Sequence, residues 1–115
     1  MNQRYPKRQA LARWRVKQAA LAIYRDCGLC AFHYFLLGVR VPKDDVHHVY
    51  GRGIDEHDSR EGYRSLLSTC RACHPLPIKF AGANEELAYV EDVLRRANET
   101  PINSAFKHPE VKKDG

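Results

Sequence analysis

The chain has 115 residues and a net charge of +5, which is the size of one domain and too small for several. It contains no apolar run long enough to span a bilayer, and its N-terminus lacks the apolar stretch and cleavage site of a secretory signal. We therefore expect a cytoplasmic protein with no membrane partner, in a compartment where cysteines stay reduced.

The first predicted element is a basic helix, and residues 1–26 form an N-terminal arm in this interpretation. The helical pattern runs from Lys7 to Asp26 without glycine or proline between them. Residues 1–25 hold seven cations and no acid, so the arm has a charge of +7 and the remainder −2. This asymmetry points to a polyanion such as nucleic acid, with a solvated basic helix as the alternative. The arm residues expected to contact phosphate are Arg8, Arg13 and Lys17.

Four cysteines form two CxxC pairs, Cys27 with Cys30 and Cys70 with Cys73, and 39 residues separate the pairs. Two such turns can present four thiolates to one tetrahedral ion. We therefore expect one structural Zn²⁺ bound by all four cysteines. A redox-active CxxC or plain buried cysteines are the alternatives.

The segment between the cysteine pairs predicts a hairpin. Residues 31–41 are aromatic and aliphatic, and their spacing does not separate helix from strand. β-Branched and aromatic content predicts one strand from Asp45 to Tyr50 and a second, antiparallel strand from Tyr63 to Thr69. A helix is expected to begin at Cys70 and to run to about residue 80.

Histidines gather around this predicted hairpin. His47 and His48 lie in its first strand, and His74 directly follows Cys73. Neighbouring residues of a regular strand point to opposite faces, so we expect different roles for His47 and His48. A neutral imidazole and a divalent cation together provide the base and the charge stabilisation that phosphodiester hydrolysis needs. The remaining histidines receive no role in this interpretation: His33, His57 and His108.

Residues 81–100 predict a C-terminal amphipathic helix. Its regular part runs from Glu85 to Asn98, with Asn84 as the expected N-cap. The apolar stripe consists of Leu87, Val90, Val93, Leu94 and Ala97. Pro101 ends the helix, and residues 101–115 are expected to be a flexible tail.

The motifs CGLC, DVHHVYGRG and LLSTCRACH, in this order, resemble the zinc-bearing branch of the HNH endonuclease family over residues 27–80. The resemblance implies an α+β fold, in which a small ββα-metal domain is stapled by one zinc ion bound to the four cysteines and flanked by the basic and the C-terminal helices. It also implies a metal-dependent DNA endonuclease that nicks DNA or cuts both strands with limited sequence specificity.

The resemblance assigns roles to individual residues. His48 corresponds to the general base, and His47 and His74 to ligands of a catalytic divalent cation such as Mg²⁺, Mn²⁺ or Ni²⁺. Ser65 stands where the family usually has the Asn that supports the loop of the base. Because a serine side chain is shorter, weakened or lost activity is an alternative.

Two arginines near these motifs are candidates for phosphate contacts. Arg52 lies between two glycines after the first strand, and Arg71 lies within the second CxxC turn. An ordinary surface role is the alternative for both.

Two other functions remain open at this point. One is a zinc-stabilised nucleic-acid-binding module without catalysis. The other is an accessory subunit of a DNA-processing or packaging complex, which would dock through the helix that starts at Glu85. A phage origin, with the protein in the host cytoplasm, is an expectation by resemblance only.

Overall fold

The computed structural model describes residues 4–54, 57–73 and 82–109, with side chains from residue 8 onward. Two helices and two strands make up its regular structure: α1 (Arg4–Arg25), β1 (Asp45–His48), β2 (Leu66–Thr69) and α2 (Ala83–Glu99). Short helical turns connect them: a π-helix at His33–Leu37 and 3₁₀ turns at Ser59–Glu61, Tyr63–Ser65 and Arg71–Cys73. Within these ranges, no helix combines the length and the apolar character that crossing a membrane requires.

The two strands pair as an antiparallel hairpin, which confirms the predicted α+β arrangement. Asp45 pairs with Thr69 and His48 pairs with Leu66, with consecutive pairing between them. The first strand ends earlier than predicted, because the chain turns directly after His48. The second starts later, because residues 63–65 form a 3₁₀ turn before it.

The end of α1 explains the course of the first CxxC turn. The amide of Gly28 donates to the carbonyl of Ile23 at 2.9 Å, and the amide of Cys27 donates to that of Tyr24 at 3.3 Å. This pair of bonds is the Schellman motif, which requires a left-handed residue after the helix. Cys27 takes that conformation, with φ of 56°, and Gly28 follows with φ of 67°.

The hairpin lies between two apolar cores, because successive residues of β2 point to opposite faces. Leu66 packs with Ala22 of α1, together with Tyr63 and Phe106. Leu67 packs on the other side with the apolar stripe of α2 and with three cysteines. The sheet therefore separates a layer containing α1 from a layer containing α2.

Arg25 is a fully buried cation that ties these layers together. Its guanidinium donates to both carboxylate oxygens of Asp26 and to the carbonyl oxygens of Tyr63 and Leu66. It also donates to Oδ1 of Asn98 in α2 at 2.8 Å. One of the seven cations of the basic arm thus serves the fold and is not available to a polyanion.

The C-terminal helix differs from its prediction at its start. Gly82 occupies the N-cap, so the prediction of Asn84 as the cap is wrong. Val90, Val93, Leu94 and Ala97 are buried as expected, whereas Leu87 is 37 % exposed. Of the helix predicted from Cys70 to about residue 80, the 3₁₀ turn Arg71–Cys73 is described, and residues 74–80 lie outside the described residues.

Candidate functional site

A compact group of sulfur and nitrogen atoms lies where the π-helix meets the end of β2. It consists of Cys30, His33, Cys70 and Cys73, whose ligand atoms all lie within 4.8 Å of one another. The three cysteines are buried and His33 is half-buried. In the described part of the chain this is the one group of three or more residues with metal-ligand geometry.

The geometry of this group fits a tetrahedral ion. Nδ1 of His33 lies 3.4 Å from Sγ of Cys30 and 3.5 Å from Sγ of both Cys70 and Cys73. Zinc with ordinary bond lengths to sulfur and nitrogen would separate such ligand atoms by about 3.5 Å. One imidazole nitrogen stands at nearly equal distances from three sulfurs, so the group can hold a structural metal ion such as zinc.

Local backbone structure brings the ligands together. The amide of Cys30 donates to the carbonyl of Val41 at 2.7 Å, which closes the segment around the π-helix. His33 starts that π-helix, one turn after Cys30. Cys70 directly follows β2, and the amide of Cys73 donates to its carbonyl at 3.1 Å.

The thiols influence one another strongly. Burial acts to raise the pKa of Cys70, but hydrogen bonds from the amide and thiol of Cys73, the thiol of Cys30 and the amide of Ala72 together outweigh it and lower this pKa. Burial, followed by the thiols of Cys70 and Cys30, raises the pKa of Cys73 to about 12. Several neighbouring thiolates are therefore unfavourable without a cation between them, which is the condition that a metal ion relieves.

The expected set of four cysteines is corrected at one position. Cys27 is exposed and does not belong to the group, whereas His33 does. The physical reason is the Schellman end of α1, which uses Cys27 as its left-handed residue. His33, to which the sequence interpretation gave no role, takes the fourth position.

His48 forms a hydrogen-bonded pair with a buried carboxylate. Its Nε2 lies 2.9 Å from Oε1 of Glu61, whose side chain is 1 % exposed. The second oxygen of Glu61 accepts the amide of Gly53 at 2.7 Å and lies 3.2 Å from Nε of Arg15. Arg15 also donates to the carbonyl of Gly53 at 2.8 Å.

Glu61 is held in its ionised form by these partners. Burial acts to raise its pKa, but the amide of Gly53 and the imidazole of His48 outweigh this effect and lower the pKa. Arg15 lowers it further. Because an ionised carboxylate only accepts hydrogen bonds, Nε2 of His48 carries the proton in this contact, and in a neutral imidazole Nδ1 is then the acceptor.

Gly53 is required for this arrangement. A Cβ atom at this position would lie 2.6 Å from Cγ of Asp58 and 2.8 Å from Cγ of Glu61. Both contacts are shorter than carbon atoms tolerate, so the loop can approach Glu61 this closely only with glycine at position 53.

The two adjacent histidines lie on opposite faces of the hairpin, as expected for neighbouring residues of a strand. His48 is paired with Leu66, on the face that packs against α1, and His47 is paired with Leu67, on the face towards α2. His47 is half-buried and has interactions of its own. His74, the other expected ligand of a catalytic cation, lies outside the described residues.

Ser65 supports the end of β1 through its main chain. Its carbonyl accepts the amide of Val49, directly after His48, at 3.1 Å. Its own amide donates to the carbonyl of Gly62 at 2.9 Å. The position expected to support the loop of the base therefore contacts that loop through backbone atoms.

The expected phosphate-binding cations are all exposed: Arg8, Arg13, Lys17, Arg52 and Arg71. The amide of Arg71 donates to Asp44 at 2.7 Å, which leaves its guanidinium uninvolved in that contact. Arg52 lies in the turn between His48 and Gly53 and therefore next to the His48–Glu61 pair along the chain.

Two residues of these sites were missed by the sequence interpretation. His33 follows Cys30 by three residues, and this spacing, which extends CxxC to CxxCxxH, was an available signal. Glu61 lies in a polar loop among other charges and carries no local signal.

Comparison with protein-family models, curated proteins and solved structures finds no match to this chain.

Proposed function

We propose that this chain is a zinc-stabilised, metal-dependent DNA endonuclease of the HNH type, with His48 as its general base. The observation that carries the proposal is the His48–Glu61 pair, a half-buried imidazole held by a buried, ionised carboxylate. Such a pair suits an imidazole that must accept a proton in a fixed orientation.

The pair defines what each side chain does. Glu61 accepts the Nε2 proton of His48 and so directs Nδ1, the basic nitrogen, away from itself. When Nδ1 takes a proton from water, the imidazolium that forms is stabilised by the carboxylate at 2.9 Å. Arg15 and the amide of Gly53 keep Glu61 charged and fixed throughout.

The proposal involves two metal ions, and only the structural one has a group of candidate ligands among the described residues. Cys30, His33, Cys70 and Cys73 would hold the structural zinc, which locks the end of β2 to the segment before β1. A second divalent cation would supply charge stabilisation at the scissile phosphate. The basic helix supports DNA as substrate, because its exposed cations face solvent and no acid lies among residues 1–25.

Plasmid nicking tests the proposal. Supercoiled plasmid is incubated with the zinc-loaded protein and Mg²⁺, Mn²⁺ or Ni²⁺, and parent and His48→Ala are compared after identical purification. We expect nicking by the parent and its loss in His48→Ala, with retained activity in the control Leu37→Ala, which changes a side chain that is 68 % exposed and does not line the cleft beside α1. Equal nicking by His48→Ala would mean that another nuclease or another residue is responsible.

A second candidate, a non-catalytic nucleic-acid-binding module, is favoured by one observation. His47 lies on the face opposite to His48, and the described residues hold no second metal-ligand group beside His48. Binding to DNA without nicking under any of the three cations would select this candidate.

Docking through α2, as an accessory subunit, receives no support from the fold. Four residues of the apolar stripe of α2 are already buried with Leu67 and the cysteines of the metal group: Val90, Val93, Leu94 and Ala97. A partner would have to contact the polar face of this helix together with Leu87, which is 37 % exposed.

A further inference from the structure

A cleft of about 570 Å³ lies beside the second half of α1. Its walls are formed by one face of α1 together with Tyr63, Arg64 and Pro109. The volume falls within the range of sites that bind small organic groups. None of the described side chains that line the cleft is acidic.

Aromatic rings and cations alternate around this cleft. Tyr24 is 56 % exposed, with its ring centroid 6.2 Å from that of Phe106. Trp14 lines the same cleft, with its ring centroid 4.4 Å from that of His57. Lys17 and Arg64 are exposed, and in the described part of the chain neither is paired with a carboxylate.

The walls of the cleft are held in place by hydrogen bonds. Oε1 of Gln18 accepts the amide of Tyr63 at 2.9 Å, which fixes the 3₁₀ turn to α1. The hydroxyl of Tyr63 lies 2.6 Å from Nδ1 of His108, which fixes the ring from its other end. The cleft is therefore formed before a ligand arrives.

We propose that this cleft binds the unstacked bases of single-stranded DNA. The exposed ring of Tyr24 and the half-buried ring of Trp14 lie beside exposed cations that have no carboxylate partner among the described residues. This combination matches a polymer that joins flat bases to anionic phosphates, and bases are free to stack on a protein only when they are not paired in a duplex. Lys17 and Tyr24 are seven residues apart on one helix, about 10 Å, which is long enough to contact several nucleotides.

The inference rests on the proposed function only for the choice of DNA as the polymer. It places the strand beside α1, the helix whose Arg15 contacts Glu61, so substrate bound in the cleft lies against the helix that supports the His48 pair. Binding in the cleft requires neither His48 nor a catalytic cation.

Trp14 makes this binding measurable, because it is the only tryptophan of the chain. Short oligothymidylate is titrated into the zinc-loaded protein without added divalent cation, and Trp14 fluorescence is recorded. We expect saturable quenching by the single strand and at least about fivefold weaker binding of a duplex of matched length, whose bases cannot stack on Tyr24.

Single substitutions test whether the quenching of Trp14 fluorescence comes from binding in the cleft. Tyr24→Ala should weaken binding about fivefold or more, and Tyr24→Phe should retain it, because the ring is kept. Val16→Ala, an exposed residue of the same helix that does not line the cleft, is the matched control. Lys17→Ala should lower the magnitude of the slope of log K against log salt by about 0.7.

Several outcomes overturn the inference. They are an unchanged Trp14 signal, equal binding of single strand and duplex, or full binding by Tyr24→Ala. Equal quenching by an acidic peptide would assign the cleft to a protein partner instead. Nicking that depends on His48 together with an unchanged Trp14 signal refutes the cleft alone, whereas quenching without nicking refutes the nuclease alone.

Discussion

Arg15 and Glu61 form an ion pair at 3.2 Å that joins the basic helix to the loop behind the hairpin. Glu61 is the buried member, and the same carboxylate oxygen also accepts the amide of Gly53. Its other oxygen holds His48, so one side chain connects α1, the loop and the end of β1. This connection makes Glu61 the best single position at which to test the site.

Glu61→Gln is expected to lower the free energy of unfolding by about 1–3 kcal/mol, because it removes a buried charge from three partners while keeping its size. Urea unfolding measures the change. The matched control is Glu99→Gln, which breaks an exposed ion pair with Arg95 and should leave stability nearly unchanged. Equal effects of the two variants would show that the Glu61 network contributes nothing specific.

The contribution of Glu61 to the free energy of unfolding should also depend on pH. Its pKa in the folded protein lies below the ordinary value of 4.5, so its stabilisation is complete above pH 4.5 and is lost as the pH falls through the folded pKa. The difference in unfolding free energy between the parent and Glu61→Gln should therefore shrink in acid. A difference that stays constant from neutral pH to well below the ordinary pKa of 4.5 would contradict the lowered pKa.

Substitutions of single candidate ligands should show whether His33 or Cys27 binds the metal ion together with Cys30, Cys70 and Cys73. Zinc content of the purified protein is expected to fall well below one equivalent in Cys73→Ser and in His33→Ala, because each removes a ligand. Cys27→Ser should keep one equivalent, because Cys27 is exposed and outside the group. Loss of zinc from Cys27→Ser together with its retention in His33→Ala would show that the four cysteines, and not His33, bind the ion.

Gly53→Ala should disrupt the His48 pair, because the added carbon would overlap Asp58 and Glu61. We expect a loss of stability of about 1–3 kcal/mol together with weaker nicking. Gly62→Ala is the control, since a Cβ atom there meets only the carbonyl oxygen of Ser59, at 3.4 Å. Unfolding midpoints in urea compare the two, and a Gly53→Ala protein as stable as Gly62→Ala would mean that the loop can move away.

Leu67→Ala tests the core that supports the metal group. Leu67 is fully buried on the α2 side of the hairpin, and its truncation should cost about 2–5 kcal/mol. Leu37→Ala, at a side chain that is 68 % exposed, should change stability by less than about 0.5 kcal/mol. Unfolding of both variants at the same urea concentration would contradict a contribution of the buried Leu67 side chain to stability.

Features with a local signal were predictable from the sequence. The spacing of apolar residues predicted both helices, and β-branched residues on either side of a polar loop predicted the hairpin. The opposite orientation of His47 and His48 followed from strand geometry alone. Each of these depends on residues that are neighbours along the chain.

Features that depend on distant contacts or on details of a turn were not predictable in this way. The fourth metal ligand depends on how α1 ends, because Cys27, the left-handed residue of that end, is exposed and outside the group. Glu61 reaches His48 across thirteen residues of the chain, so its role exists only once the hairpin has formed. Arg25 counted as part of the cationic arm, and only its five hydrogen bonds in the folded protein show its structural role.

The order of the metal ligands along the chain has a consequence for biosynthesis. A growing polypeptide exposes Cys30 and His33 early, but the group stays incomplete until Cys73 has left the ribosome. The cationic helix α1 emerges before β2 and α2, the elements that cover its Arg25. Until then the nascent protein carries an uncovered basic helix and only two of the four residues of the metal group, so an ion held by all four would be bound only late in translation.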